Sequence, residues 1–466
     1  MALLSLLQDG AVIHPLVLLP VFSLVLAIGY LLFDVVYNLF FNPLRRFPGP
    51  KLWAISNIPY TRMFLSGKGH YKMRQLHQEY GPIVRIGPKD LSINHPDGMK
   101  DLRGHRKTGT GENSKDPVLA QFNADNIIGA NRQDHQRFRR VVAHGFSHQS
   151  MVNQEPIIAG YVDKFINGLH EVCTNGTEPL DIAAWFNFAT FDIIGDLAFG
   201  EPFGCLDNKE LHPWISVVEQ AHHVSDAKKP KQQLGGAQGY VAREGASGNE
   251  MPFEELASNA QVIILAGSET TATLLTATTY FLTTNPETLK KLSDEVRSSF
   301  KSESEIDMAS VQRLPYMLAV LNEGLRLFPP VINGIQRKVR EGGDTIINQY
   351  IPGGASVDIW QWAVYHNPDH FALPDEYIPE RWLDDPRFAN DAKRALAPFS
   401  IGPRDCVGKN LAYAEMRLIL ARLLWNFDIR LDPKSAGWDH RSKSYFIWER
   451  GPLNVFLTPR GSPGQL

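Results

Sequence analysis

The chain has 466 residues, 43% of them hydrophobic and 21% charged, and its 47 basic side chains against 50 acidic ones leave a net charge of −3. That size and composition support a sizeable core, and the balance of charge gives no electrostatic footprint for nucleic acid. Three cysteines (Cys173, Cys205, Cys406) are too few and odd in number for a disulfide framework, which favours a reducing compartment for the folded body.

Residues 11–33, AVIHPLVLLPVFSLVLAIGYLLF, carry no charged side chain apart from His14. About 20 helical residues cross a bilayer core, so this stretch is expected to be a transmembrane anchor behind a short lumenal N-terminus, residues 1–10. A cleaved signal peptide would show a shorter apolar core and a small-x-small cleavage site, and neither is evident. Arg45 and Arg46 follow the anchor, and by the positive-inside rule they put the body in the cytosol. Residues 34–52 read as a linker whose FPGPKL segment forms a stiff proline elbow.

The body, residues 53–466, reads as one large domain. PIVRIG (82–87) and DLSINH (90–95) alternate like strands. From about residue 135 the periodicity is helical: 133–146, 184–200, 255–284, 285–300, 314–328 and, after Gly408, 409–427. Short strands return in GIQRKV, TIINQYI and ASVDIW, between 334 and 360. The fold class is therefore mainly α with a minor β part. GxGxxG, P-loop and HExxH patterns are absent from the sequence.

Four patterns carry chemistry. The helix starting near 253 is apolar on nearly all sides, yet AGSETT (266–271) lies at its centre. Buried Glu269 and Thr270 are expensive unless paired or used, and Gly267 lets something approach the backbone. A kink with hydroxyls bonded four residues back would explain the hexad equally well. In EGLR, Glu323 and Arg326 share one helical face among leucines, a pair that needs a further partner when buried. Arg381, in PERW (379–382), is the candidate for that partner.

The fourth is FSIGPRDCVG (399–408). A lone cysteine is ordinarily a small buried hydrophobe. Here Gly402 can take the positive φ of a tight turn, and Gly408 allows close approach where the next helix begins. A thiolate ligand to haem iron needs such a rigid loop, with amides directed at the sulfur. Arg404 could then pair with a haem propionate, and Phe399 could pack on the sulfur side.

In this order, AGSETT, EGLR, PERW and FSIGPRDCVG resemble the oxygen-activating helix, the ExxR helix, the loop of its third partner and the cysteine loop of the cytochrome P450 family. Phrases such as YGPIVRIGPKDLSINHP and FDIIGDLAFGEPFGCL resemble membrane-bound fungal members that oxidise secondary metabolites. The resemblance implies a P450-like fold behind one N-terminal transmembrane helix and a non-covalent haem b. Cys406 would be the iron ligand, and Thr270 with Glu269 would supply protons for dioxygen activation. Glu323, Arg326 and Arg381 would hold the cysteine face. Arg139, Arg337 and Arg404 would meet the propionates, and Gly267, Phe399, Gly402 and Gly408 would border the haem. His135 stands where the family's WxxxR pattern has tryptophan.

The implied reaction puts one oxygen atom from O2 into a hydrophobic small molecule, a terpenoid or polyketide. Electrons would come from a separate NADPH-dependent reductase at the endoplasmic reticulum membrane, because the chain shows no flavin or nicotinamide site of its own. One departure qualifies this expectation. Residues 215–252 are too short and too rich in glycine for the helices that roof the substrate in this family. The alternative is a non-catalytic or poorly coupled haem protein that has lost its roof.

Overall fold

The computed structural model describes residues 15–107, 111–116, 124–213 and 251–461. The expectation of a shortened stretch at 215–252 lies, apart from its last two residues, outside the described residues, as does the expectation of a lumenal segment at 1–10.

Helix α1 (Pro15–Val36) runs past the expected end of the anchor and continues as a π-turn over Tyr37–Phe41. Its large apolar side chains, such as Leu24, Leu31 and Phe33, are exposed, as a lipid-facing helix requires. The proline elbow does not hang free. Arg85 donates from Nη1 to the Asn38 carbonyl (2.8 Å) and from Nη2 to the Ala54 and Pro88 carbonyls (3.2 and 3.0 Å). Asn42 Nδ2 reaches the same Pro88 carbonyl at 3.0 Å, so the base of the anchor is clasped to the body. Gly49 lies against the Arg85 carbonyl, leaving no room for a Cβ.

The body begins with α2 (Ile58–Leu65) and α3 (Gly69–Tyr80), two helices the periodicity did not predict. Strands β1 (Ile83–Arg85) and β2 (Asp90–Ile93) follow as expected, then α4 (Gly98–Arg103) and β3 (Ser114–Lys115). Helix α5 (Arg132–Ala143) is capped by Asn131, whose side chain accepts from the Asp134 amide. Helix α6 (His148–Val172), with Pro156 inside it, was also not foreseen. After β4 (Leu180–Asp181) comes α7 (Ile182–Phe199), apolar and long enough to cross a membrane but 67% buried in the body, hence a core helix.

Helix α8 (Phe253–Thr284) is the expected rod of 32 residues, about 48 Å at 1.5 Å per residue. Helices α9 (Pro286–Ser299) and α10 (Pro315–Leu327) carry proline in their first turn, where the missing N–H costs nothing. Strands β5 (Arg337–Lys338), β6 (Asp344–Ile346), β7 (Gln349–Ile351) and β8 (Ser356–Asp358) match the expected cluster. The chain ends with α11 (Lys409–Asn426), β9 (Phe427–Leu431), β10 (Lys443–Ser444), β11 (Trp448–Glu449) and β12 (Asn454–Pro459).

Five strands form one sheet in the order β1-β2-β8-β5-β3, with β2 and β8 parallel. A second sheet has the order β4-β12-β9. One apolar core lies among α6 to α11 and takes in Phe165, Phe186, Leu275, Leu321 and Leu420. A smaller one lies on the five-stranded sheet, around Leu91, Ile93, Val357 and Tyr365.

Candidate active site

Glu323, on α10, is fully buried together with Arg326 and Arg381. Its carboxylate accepts from Arg326 Nε (2.9 Å) and Nη2 (2.7 Å) and from Arg381 Nε (3.0 Å). The Ile378 amide and Trp382 Nε1 complete its shell at 3.0 and 2.9 Å. Burial alone would raise the pKa of this group, but the two guanidinium groups outweigh it and hold the carboxyl below its ordinary range. Arg381 also pairs with Asp391, and Arg326 spends its remaining donors on the Tyr365, Pro374 and Glu376 carbonyls. The sequence-predicted trio is thus brought together; Trp382 and Asp391 belong to it and were missed.

The cysteine loop precedes α11. The Cys406 amide donates to the Phe399 carbonyl at 2.8 Å, which closes the loop on itself. Gly402 has φ +84°, and a Cβ there would run into the Arg103 carbonyl, so this position needs glycine for two reasons. Ser400, also at positive φ (58°), is held by Arg103 Nη1 at 3.3 Å. Gly408 is the residue before α11, and a Cβ on it would lie 4.0 Å from Cys406 Sγ and 3.5 Å from the Phe146 ring. The Phe399 ring packs on Tyr413 rather than standing alone. The thiol is accessible, yet the protein mass around it raises its pKa, a shift the Gly408 amide opposes.

Midway along α8, Ala266 is exposed and Thr270 half-buried, although the helix is buried further along. These residues lie four apart, on one face. The Thr270 hydroxyl donates to the Ala266 carbonyl at 2.7 Å. Ser268, Thr276 and Thr279 make the same bond, so the bond does not distinguish Thr270; its access to open space does. Glu269 is buried and stands 3.5 Å from Arg450 Nη2. At Gly267 the space of the absent side chain is filled by Ile194 of α7, 2.9 Å from where a Cβ would lie. What approaches this glycine is therefore the neighbouring helix and not the open face of α8.

A third group is cationic. Lys115 and Arg337 are buried and face each other directly across the β3–β5 pair. Like charges so placed destabilise a sheet. Arg404 lies close by, donating to Glu112 (2.8 Å) and to the Ala130 carbonyl (2.9 Å). Burial, reinforced by Arg404 and Arg337, pushes Lys115 down to about 6. Burial with Arg103 and Arg404 beside it pushes Arg337 down to about 9. His135, buried beside Arg404 and Lys115, falls to about 3. The buried Arg337 Nε has no hydrogen-bond partner. Arg139 behaves differently: it grips the cysteine loop at the Asp405 carbonyl (2.5 Å) and carboxylate (2.6 Å).

The cytochrome P450 family model matches residues 47–234 and 226–456. The chain belongs to the cytochrome P450 family. It is 46% identical over 477 positions to trichothecene C-15 hydroxylase of Fusarium sporotrichioides, covering 93% of this chain and 96% of that one. With averantin hydroxylase of Dothistroma septosporum it shares 41% over 472 positions, 91% and 89% of the two chains. A cytochrome P450 monooxygenase of Talaromyces stipitatus, tpeC, is 40% identical over 94% of each. The first alignment is longer than this whole P450 chain, so that relative has residues with no counterpart here. The family match breaks into its two parts at 226–234, inside the stretch the sequence marks as short.

A P450 carries a haem iron with a thiolate ligand, and the residues of this chain fit one. Arg337 and Arg404, with an unsatisfied guanidinium nitrogen on Arg337, form a buried cationic pair suited to propionates, and Lys115 lies beside them with its Nζ donating to the Ile127 and Ile128 carbonyls. Lys115 escaped the sequence reading; the only signal for it was its place in a short strand facing Arg337.

Proposed function

We propose that this P450 inserts one oxygen atom from O2 into a hydrophobic small molecule, as a hydroxylation or epoxidation step in terpenoid or polyketide secondary metabolism. The observation that carries the reading is the accessible Cys406 thiol, on a loop fixed by the Phe399 carbonyl and the Gly402 turn. Cys406 would hold the iron, while Arg337 and Arg404, with Lys115 beside them, would meet the propionates; Arg139, expected from the sequence to do the same, is instead engaged by Asp405 of the cysteine loop. Thiolate-ligated haem supplies the oxidising chemistry, since the thiolate favours O–O cleavage. Thr270 Oγ1, on the open face of α8, would hold a water and pass protons drawn through Glu269. Glu323, Arg326 and Arg381 keep the segment ahead of the cysteine loop rigid, and Phe399, Gly402 and Gly408 shape the sulfur side.

Electrons would come from a separate NADPH-dependent reductase. The exposed apolar α1 and the following Arg45 and Arg46 support a single-pass anchor in the endoplasmic reticulum, with the body cytosolic. Likeness to a trichothecene C-15 hydroxylase favours a terpenoid substrate over a polyketide. The reduced, carbon-monoxide-bound spectrum of the full-length protein tests the core of this reading. A strongly red-shifted Soret band, lost in Cys406→Ser, is expected; a band at the ordinary haem position in the parent protein would overturn it. Titration with a trichothecene and with averantin, following the substrate-induced Soret shift, separates the two substrate classes.

A second reading has its own support in the break of the family match at 226–234. If substrate cover is reduced there, water reaches the distal side and reductant drains into peroxide. Product formed in proportion to NADPH consumed, without any added partner, would exclude it.

A further inference from the structure

Asn259 stands on α8, two turns before Ala266 and on the face that carries Ala266 and Thr270. It is buried, with 2% exposed. Its Nδ2 donates to the Glu255 carbonyl one turn back at 2.9 Å, a bond any asparagine within a helix can make. The same side chain also reaches out of the helix. Nδ2 donates to the Asp125 carbonyl at 3.3 Å, and Oδ1 accepts from the Ile127 amide at 2.9 Å. The amide group thus pairs with the loop backbone through one donor and one acceptor, as a strand would. Beside it, Ser258 Oγ accepts from Asn126 Nδ2 at 3.1 Å.

The carbonyls of the same loop are taken up by the cationic group. Lys115 Nζ donates to Ile127 (2.8 Å) and to Ile128, and Arg404 Nη1 to Ala130 (2.9 Å). Asn126 sets the spacing of these carbonyls: its Oδ1 accepts from the Ile128 and Gly129 amides at 3.0 and 3.3 Å, and its own carbonyl from the Ala130 amide at 2.9 Å. Among the described residues, the Ile127 and Ile128 carbonyls are the acceptors for Lys115 Nζ. Arg337 lies directly opposite Lys115 and repels it, so where Lys115 rests depends on those two carbonyls.

We propose that Asn259 is a positioning residue for the haem seat: by pinning the backbone of 125–127 it holds the Ile127, Ile128 and Ala130 carbonyls in place, and these set Lys115 and Arg404 beside Arg337 where propionates would bind. The inference rests on the reading of that cationic group as the propionate site. It joins the Thr270 face of α8 to the propionate side through a loop that none of the four motifs contains.

The test uses the full-length, haem-loaded protein and measures transfer of haem to an apo-globin acceptor. Asn259→Ala is expected to speed transfer about tenfold, the weight of two hydrogen bonds to the loop, while the reduced, carbon-monoxide-bound Soret band stays red-shifted. In resonance Raman spectra the propionate bending bands should move, a change that loss of stability alone would not produce. In a Lys115→Met background, Asn259→Ala should speed transfer by a clearly smaller factor, because one of the groups it positions is gone. An unchanged transfer rate, unmoved propionate bands, or an equal factor in both backgrounds would overturn the proposal and leave Asn259 a tie between loop and helix. Arg404→Gln separates the two levels of the argument. If it speeds transfer and Asn259→Ala does not, only the role of Asn259 fails; if neither does, the reading of the cationic group as a propionate site fails and the proposal with it. Should Asn259→Ala not retain haem, Ser258→Ala takes its place, since it removes only the tie to Asn126. Transfer about twofold faster with moved propionate bands supports the proposal, and a parent-like rate with unmoved bands overturns it.

Discussion

Two buried clusters of arginine differ in how their charge is balanced. Around Glu323, two guanidinium groups meet two carboxylates, Glu323 and Asp391, and backbone carbonyls take most of the remaining donors. Around Arg337, the neighbouring basic groups are Arg103, Arg404 and Lys115; the carboxylate of Glu112 pairs with Arg404, Lys115 donates to the Ile127 and Ile128 carbonyls, and a guanidinium nitrogen of Arg337 stays unsatisfied. The first cluster is complete within the chain and serves to hold a shape. The second is strained by like charge and suits a dianionic ligand. Burial alone therefore does not tell a structural arginine from a binding one; the balance of charge around it does.

The sharpest way to break this comparison is to remove the anion of the balanced cluster. Glu323→Ala leaves Arg326 and Arg381 buried and facing each other, and breaking a buried pair costs about 3–5 kcal/mol. Thermal unfolding should show a loss of that order, with little haem-loaded protein recovered. Normal stability would mean that the cluster is not a structural unit.

Arg337→Gln should act with opposite signs on the two forms. Relief of repulsion with Lys115 should leave the haem-free chain as stable or more so. The haem-loaded protein loses a charge-assisted hydrogen bond of about 1.5–3 kcal/mol, so haem should leave about ten to a hundred times faster. Transfer of haem to an apo-globin acceptor measures this directly. Equal destabilisation of both forms would make Arg337 a structural residue like Arg326.

How far each cluster was legible in the sequence follows the same division. The Glu323 trio lies within two short motifs, and one helical turn fixes the Glu323–Arg326 geometry. Trp382 closes the PERW motif itself, where only the arginine was singled out, and Asp391 lies on a loop that no local period describes. Lys115, within NSKDP, has the composition of a surface turn, and only its pairing with β5 buries it. Helix α3 escaped because nearly all its residues are polar, and its inward stripe of Gly69, His70, Met73, Leu76 and His77 contains two apolar side chains. In α6, Pro156 and a polar first half hid a helix of 25 residues. Gly267 read as an opening because sequence shows that a side chain is absent, not that Ile194 fills its place.

The clusters should also separate by pH. The fold disfavours protonated Lys115, so the unfolded chain binds more protons between about 6 and the ordinary lysine value of 10.5. Stability contributed by this site therefore rises with pH across that window, and the penalty is complete below about 6. For Glu323 the shift is downward, so its stabilisation is intact above the ordinary value of 4.5 and is lost only as pH falls through the lower folded value. Denaturant melts of haem-free protein between pH 6 and 9 should show a smaller gain in Lys115→Met than in the parent. An identical slope would mean that Lys115 is not under strain.

The smallest expected effect is at Glu112, whose side chain is 23% exposed while that of its partner Arg404 is 6% exposed. Solvent screens this pair in part, so Glu112→Gln should lower the stability of the haem-free chain by about 1 kcal/mol or less. The change increases an existing excess of positive charge, and the loss should therefore shrink once propionates supply negative charge to the same arginine. Paired melts with and without haem measure the difference. An equal loss in both forms would mean that Glu112, and not a ligand, is the counter-ion Arg404 is built for, and the two clusters would then be of one kind.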